Sequence, residues 1–320
     1  MSATAASIEK SQNIASKLCF WVALTCAFLI IIIMKHFVTA SIFIKLTLAC
    51  PSGRGAQCRS PEASINPKEI LVTNLDEKNC TWPDLKLMNT PGPTTGLVSV
   101  PGSGNTWVRH LLELSSGILT GSVYTDDEEL KKGGFAGEGI TNGSVIAVKD
   151  HEVFKRPYDR IRYVAIIRHP LHSGLSEFNR ENTGDNHMGH ANMSVFMRDY
   201  DPFTKWYMKE YEAFMNGLVK MKNHSADQLC ILQYEKLVED VVKELRPCME
   251  FLGFHINEDL ERCIRKDEEG KFHRKPRAAN ELHMIFTHLL NDEKLEEYHE
   301  LYNGFLTKLG KATLMSNALD

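Results

Sequence analysis

From residue 96 onward the chain alternates short apolar runs with stretches of helical period. GLVSV (96–100) is followed by RHLLELSSG, SVIAVK ends at 149, YVAII (163–167) is followed by PLHSGLSEFNR, and CILQY (230–234) leads to a helical pattern over 237–252. A long helix is predicted across 203–222. This alternation predicts parallel strands joined by helices. YVAII and CILQY are continuous rather than alternating, as expected for strands covered on both faces. The predicted fold is therefore an α/β sandwich around a parallel sheet, with ligands at the carboxyl ends of the strands. Trp206, Tyr207, Tyr211 and Phe214 recur at helical spacing and predict a packed helix face, with glycan stacking as the alternative.

A different pattern comes first. Leu18 to Met34 is 17 consecutive apolar residues, roughly 26 Å of helix at about 1.5 Å per residue, which suits a thin early-secretory bilayer. It predicts a transmembrane signal-anchor after a cytosolic tail at 1–17. The small residues Val38-Thr39-Ala40 leave a cleaved signal peptide as the alternative. Lys10 and Lys17 before the run and Lys35 and Lys45 after it do not orient it. Residues 35–95 carry chain breakers such as CPSGRG, SPEAS and NTPGPTTG, which predict a stem and an irregular lead-in. The catalytic domain then occupies 96–320.

Composition changes this picture little. At 320 residues, 43% hydrophobic and 24% charged, the chain is ordinary globular protein. A net charge of −4 argues against a general nucleic-acid binder, so a polyanionic ligand must meet a local cluster of cations. Of the eight cysteines, Cys19 and Cys26 lie in the apolar run. Those at 50, 58, 80, 230, 248 and 263 suit either disulfides in an oxidising lumen or buried thiols. Glycosylation sequons stand at Asn79, Asn142, Asn192 and Asn223. With the apolar run, they point to a short cytosolic tail, one span and a lumenal catalytic body.

Three stretches carry chemistry. PGSGNTWVRH (101–110) sits between a buried strand and a helix, where backbone N–H groups and the positive helix end converge on one spot. Gly102 and Gly104 allow close approach of the backbone, and the Ser103 and Thr106 hydroxyls add donors beside the amides of Gly104, Asn105 and Thr106. The loop lacks the GK[ST] ending of nucleoside-triphosphate loops. A glycine turn with Asn or Thr capping a helix is the simpler alternative. AVKDHEV (147–153) places Lys149 and His151 on one side of a strand exit and Asp150 on the other. In IIRHPLHSGLSEF (166–178), Arg168 closes a strand, Pro170 opens a helix, and Ser176 follows within its second turn. Asp185, His187 and His190 fit no zinc spacing and are read as an acceptor-side loop, so no metal site is assigned.

Taken in order, the loop, the Lys-x-His strand end, the Arg-x7-Ser pair and LQYEKLVED…MEFLGF resemble the PAPS-dependent sulfotransferase superfamily. The wording PGSGNTWVRHLLE and GILTGSVY is most similar to its WSC-domain-containing, Golgi-type branch, linked to sulfation of sialic acid. The cysteine-dense WSC module is absent from this sequence. The resemblance implies a P-loop-like three-layer domain and PAPS as co-substrate. It implies that 102–107 hold the 5′-phosphosulfate, that Arg168 and Ser176 hold the 3′-phosphate, and that Trp107 lies near the adenine, with a core role as its equal alternative. His151 becomes the general base for an acceptor hydroxyl, on a glycan, and Lys149 offsets charge on the transferring group. Where many members carry lysine in the loop, this chain has Gly102, with Arg109 or Lys149 as substitutes. GKFHRKPR (270–277) offers Lys271, Arg274 and Lys275 as a late 3′-phosphate element. The competing functions are a kinase on a related fold and a catalytically silent membrane glycoprotein.

Overall fold

The computed structural model describes Cys80 and residues 84–315, apart from 126, 153, 155–159, 184–187, 273, 276, 279, 282–283 and 286–291. The predicted tail, the apolar run at 18–34, the first part of the stem and Asn79 lie outside the described residues. Among the described residues no helix is long and apolar enough to cross a membrane.

Five parallel strands form one sheet: β1 Thr95–Val98, β2 Gly121–Ser122, β3 Val148–Asp150, β4 Arg162–Ile167 and β5 Leu229–Gln233, in the order β2-β3-β1-β4-β5. The chain leaves β1 to one side for β2 and β3, then returns to the other for β4 and β5. That reversal opens a crevice at the carboxyl end of β1, where such sheets bind ligands. Among the described residues the α-helices are α1 Asn105–Ser116, α2 Glu128–Gly133, α3 Pro170–Glu181, α4 Met193–Ser225, α5 Tyr234–Glu239, α6 Val241–Leu252, α7 Glu258–Lys266 and α8 Asp292–Leu309.

Alternation along the strands divides the core in two. Leu97, Val164, Ile166 and Leu232 face Leu111 and Leu112 of α1 and Leu245 and Met249 of α6. Val98, Ala165 and Ile167 face Tyr211, Phe214 and Leu218 of α4 and Tyr302 and Phe305 of α8. Each fully buried Leu or Ile contributes about 1.5–3 kcal/mol, so both sheet faces must be covered. The expected three layers follow.

Four differences from the sequence reading have physical causes. The run SVIAVK yields a ladder only from Val148, because Ser144 O is tied to Met88 N–H and Ile146 N–H to Leu119 O. α4 begins at Met193 rather than 203: the Asn192 side chain caps it by accepting from Ser194 N–H, and the helix runs through Pro202. Phe196 and Tyr200, packed on Phe178 of α3, carry that first stretch. The pattern over 237–252 is two helices, broken at the extended Asp240, which caps α6. α8, unread in the sequence, completes the second layer. Among the cysteines, Cys80 is bonded to Cys263 of α7, and Cys230 of β5 to Cys248 of α6.

Candidate active site

The loop between β1 and α1 is built around two glycines in the left-handed region. Gly102 has φ 81° and Gly104 φ 89°. A Cβ on Gly102 would lie 2.0 Å from the Ser173 carbonyl oxygen of α3, and one on Gly104 2.7 Å from the Tyr234 ring. Only glycine fits either place. Gly104 caps α1 with no side-chain hydrogen bond, so the first-turn N–H groups keep no intrahelical partner. Between the glycines, Ser103 is fully buried and its hydroxyl has no hydrogen-bond partner. A buried donor without a partner costs about 1–3 kcal/mol, a cost that a bound anion would relieve. The loop carbonyls are held from behind: the Tyr207 hydroxyl donates to Pro101 O at 2.7 Å and Arg168 Nη1 to Gly102 O at 2.8 Å.

Arg168 leaves β4 at the same edge, with its guanidinium carbon 4.0 Å over the centre of the Tyr234 ring. The Tyr211 hydroxyl braces its carbonyl at 3.0 Å. Arg274 Nη1 donates to Ser176 Oγ at 3.0 Å and to Ser176 O at 3.1 Å. Burial, then the Arg168 charge, lowers the Arg274 pKa. Two guanidiniums and a hydroxyl, distant in sequence, are thus held together in a half-buried place that suits a dianion. Lys275 is exposed, and its carbonyl accepts from His190 Nε2 at 2.7 Å. Asp185 and His187 lie outside the described residues.

Arg109 does not replace the missing loop lysine. Its side chain is fully buried, ion-paired to Glu138, hydrogen-bonded through Nε to Thr120 Oγ1 at 2.8 Å and stacked on Phe135. Position 109 falls on the inward face of α1, which the sequence alone did not separate from the loop.

Trp107 packs against the first core layer, and its indole N–H donates to Glu268 O at 2.6 Å. It also lines a pocket of about 190 Å³ together with Thr106, Glu113, Lys271 and Phe272. Tyr234 meets it edge to face at 5.5 Å. Tyr234 and Phe272 carry the walls of the site yet were given no role by sequence reading. Tyr234 stood within a quoted motif, whereas Phe272 had no signal beyond the neighbouring basic residues.

His151 follows β3 directly. Its Nδ1 lies 2.9 Å from Ser99 O; a carbonyl only accepts, so Nδ1 carries the proton and Nε2 holds the lone pair. Its backbone N–H donates to the Tyr124 hydroxyl at 3.2 Å. Burial, with the Lys149 charge next, pushes the His151 pKa down to about 3, so the ring is neutral at ordinary pH. Lys149 is 8% exposed, with Nζ 5.5 Å from the centre of the Tyr124 ring. Burial, then Arg109, brings its pKa to about 8. A neutral imidazole with a free lone pair stands beside a cation, on the side of β3 that the alternation predicted.

Elsewhere, Tyr207, Tyr211 and Phe214 are buried as a packed face, whereas Trp206 is 48% exposed. Asn142, Asn192 and Asn223 are all exposed.

Comparison with known proteins bears on this geometry. Residues 148–258 match the profile described as the sulfotransferase family. A WSCD family member of Aedes aegypti is 36% identical over 217 residues, covering 66% of this chain and 67% of that protein. A WSCD family member of Drosophila melanogaster is 38% identical over 191 residues, covering 58% of each; the chain thus spans little more than half of that relative's length. Among solved structures, a mouse sulfotransferase complexed with PAP has a TM-score of 0.44 at 14% identity, covering 70% of this chain and 91% of its own. A retinol dehydratase with androsterone and inactive cofactor PAP has a TM-score of 0.39 at 15% identity, covering 72% and 84%. With a relative 36% identical across two thirds of its length and a sulfotransferase-family segment spanning β3 to α7, this chain belongs to the WSCD family of sulfotransferase-type proteins.

Proposed function

We propose that the protein transfers a sulfuryl group from PAPS to a hydroxyl of a glycan, sialic acid being the first acceptor to test, in the Golgi lumen behind a single N-terminal anchor. The observation that carries the reading is the convergence of Arg168, Ser176 and Arg274 beside a loop whose buried Ser103 hydroxyl has no partner. Two separate anion sites at one strand edge suit a nucleotide phosphorylated at both ends. The 5′ end belongs to Ser103, Thr106 and the amides of 102–107, and the 3′-phosphate to the two arginines and Ser176. The pocket lined by Trp107 and Phe272 suits an adenine ring. His151 Nε2 takes the proton of the acceptor hydroxyl as its oxygen bonds to sulfur and the bond from sulfur to the phosphate oxygen breaks. Lys149 stabilises the charge on the departing group.

Support for a lumenal place comes from the Cys80–Cys263 and Cys230–Cys248 disulfides, which persist in oxidising compartments, and from the exposed sequon asparagines 142, 192 and 223. The deciding experiment is transfer of radiolabelled sulfate from PAPS to a panel of sialylated and non-sialylated glycans by the full-length protein. Incorporation is expected; a protein that neither binds PAP nor labels any acceptor overturns the reading. Arg168→Ala is expected to weaken PAP about 10- to 100-fold, the loss of one charge-assisted contact, measured by calorimetry.

The rate should also report Lys149. A lysine is cationic below its pKa, so its contribution is present below about pH 8 and is lost as the pH rises through that value. The kcat/KM for PAPS is therefore expected to fall above about pH 8. In Lys149→Arg, which stays charged, that alkaline limb should vanish.

A further inference from the structure

We infer that the Asn105 side chain is a positioning residue for His151, acting through Ser99, and that it is no ligand of the phosphosulfate. The inference rests on reading His151 as the base. Asn105 opens α1, inside the stretch assigned to the co-substrate, and is 4% exposed. Its Nδ2 lies 3.3 Å from Leu97 O and 3.2 Å from Ser99 Oγ. The Leu97 carbonyl only accepts, so it fixes which end of the amide is nitrogen. Both amide hydrogens then have partners on β1 and just beyond it. What remains of the side chain is Oδ1, buried and without a hydrogen-bond partner. An acceptor cannot hold a phosphate oxygen; toward an anion Asn105 offers its backbone N–H alone.

The link continues into the base. Ser99 is fully buried. Its carbonyl receives the His151 Nδ1 proton at 2.9 Å, and its hydroxyl lies 3.3 Å from the same nitrogen. One serine is thereby held by the anion loop's first helical residue and itself holds the imidazole. Across 6 residues in one direction and 52 in the other, the chain ties the helix end that receives the anion to the orientation of the ring that receives the proton. A small misplacement of a reacting group lowers turnover sharply, and partners behind a functional imidazole set its tautomer and direction.

The test uses the full-length protein with 15N-labelled histidine. In the wild type, long-range 1H–15N spectra are expected to show His151 as a single tautomer protonated on Nδ1. Asn105→Ala should mix the tautomers and lower kcat about 10- to 100-fold, with PAP affinity changed by less than about threefold. Ser99→Ala, which removes only the hydroxyl, should move the spectrum and kcat in the same direction and carries the test should Asn105→Ala not fold. Ser99→Thr restores the hydroxyl and should restore both. Loss of PAP affinity of about tenfold or more in Asn105→Ala, with the His151 tautomer unaltered, would make Asn105 a ligand and overturn the inference. The base assignment fails separately, on normal turnover of a His151 variant; the tautomer spectra need no acceptor.

Discussion

His151→Ala is expected to lower kcat by about two to four orders of magnitude, the range lost with a general base, while the Kd for PAP stays within about twofold. The asymmetry follows from where the ring stands. Among the described residues the hydrogen bonds of the His151 ring go to Ser99, and none joins it to Arg168, Ser176 or Arg274. Its pKa of about 3 means that the lone pair on Nε2 is available across the whole physiological range, so protonation of this ring should give no acid limb above about pH 5. A steep acid limb near neutrality that disappears in His151→Ala would show a ring far more exposed than the one described here. Unchanged turnover in the variant would take the histidine out of the chemistry altogether.

How much of this could be read from the sequence depends on how local each signal was. The loop was legible because its glycines are dictated by contacts that leave no space for a Cβ, and because a strand, a turn and a helix follow one another within a few residues. The sides of β3 were legible too, since alternation places Lys149 and His151 together whatever else surrounds them. Arg168 and Ser176 were legible as a pair because one strand end and one helix turn set their distance. Arg109 was not: its neighbours in sequence are the loop, whereas its partners Glu138, Thr120 and Phe135 come from segments beyond α1. Phe272 was equally hidden, whereas the Arg274–Ser176 contact, 98 residues apart in the chain, followed from the resemblance alone, with no strand or helix to announce it. α4 escaped at its start because Pro202 reads as a boundary, and tertiary packing of Phe196 and Tyr200 overrode it.

The same reasoning predicts that the lysine many sulfotransferases carry in this loop cannot simply be put back. Gly102→Lys is expected to destabilise the fold and abolish nucleotide binding together. The residue sits at φ 81°, where a side chain costs about 1–3 kcal/mol in backbone strain. Its Cβ would also fall 2.0 Å from Ser173 O and 3.0 Å from Glu177 N. Neither contact is with a flexible side-chain tip; both are backbone of α3, so relief means moving α3 or the loop. Moving the loop breaks the Arg168 Nη1 bond to Gly102 O and shifts Ser103 from its buried place. A loss of about 3 kcal/mol lowers Tm by about 6–12 °C in a domain of this size, readable by calorimetry. Added PAP should no longer raise the variant's Tm as it raises that of the wild type. A Gly102→Lys protein with wild-type Tm and tighter PAP binding would mean that α3 does not press on the loop. If the variant fails as expected, close packing of α3 accounts for the missing lysine.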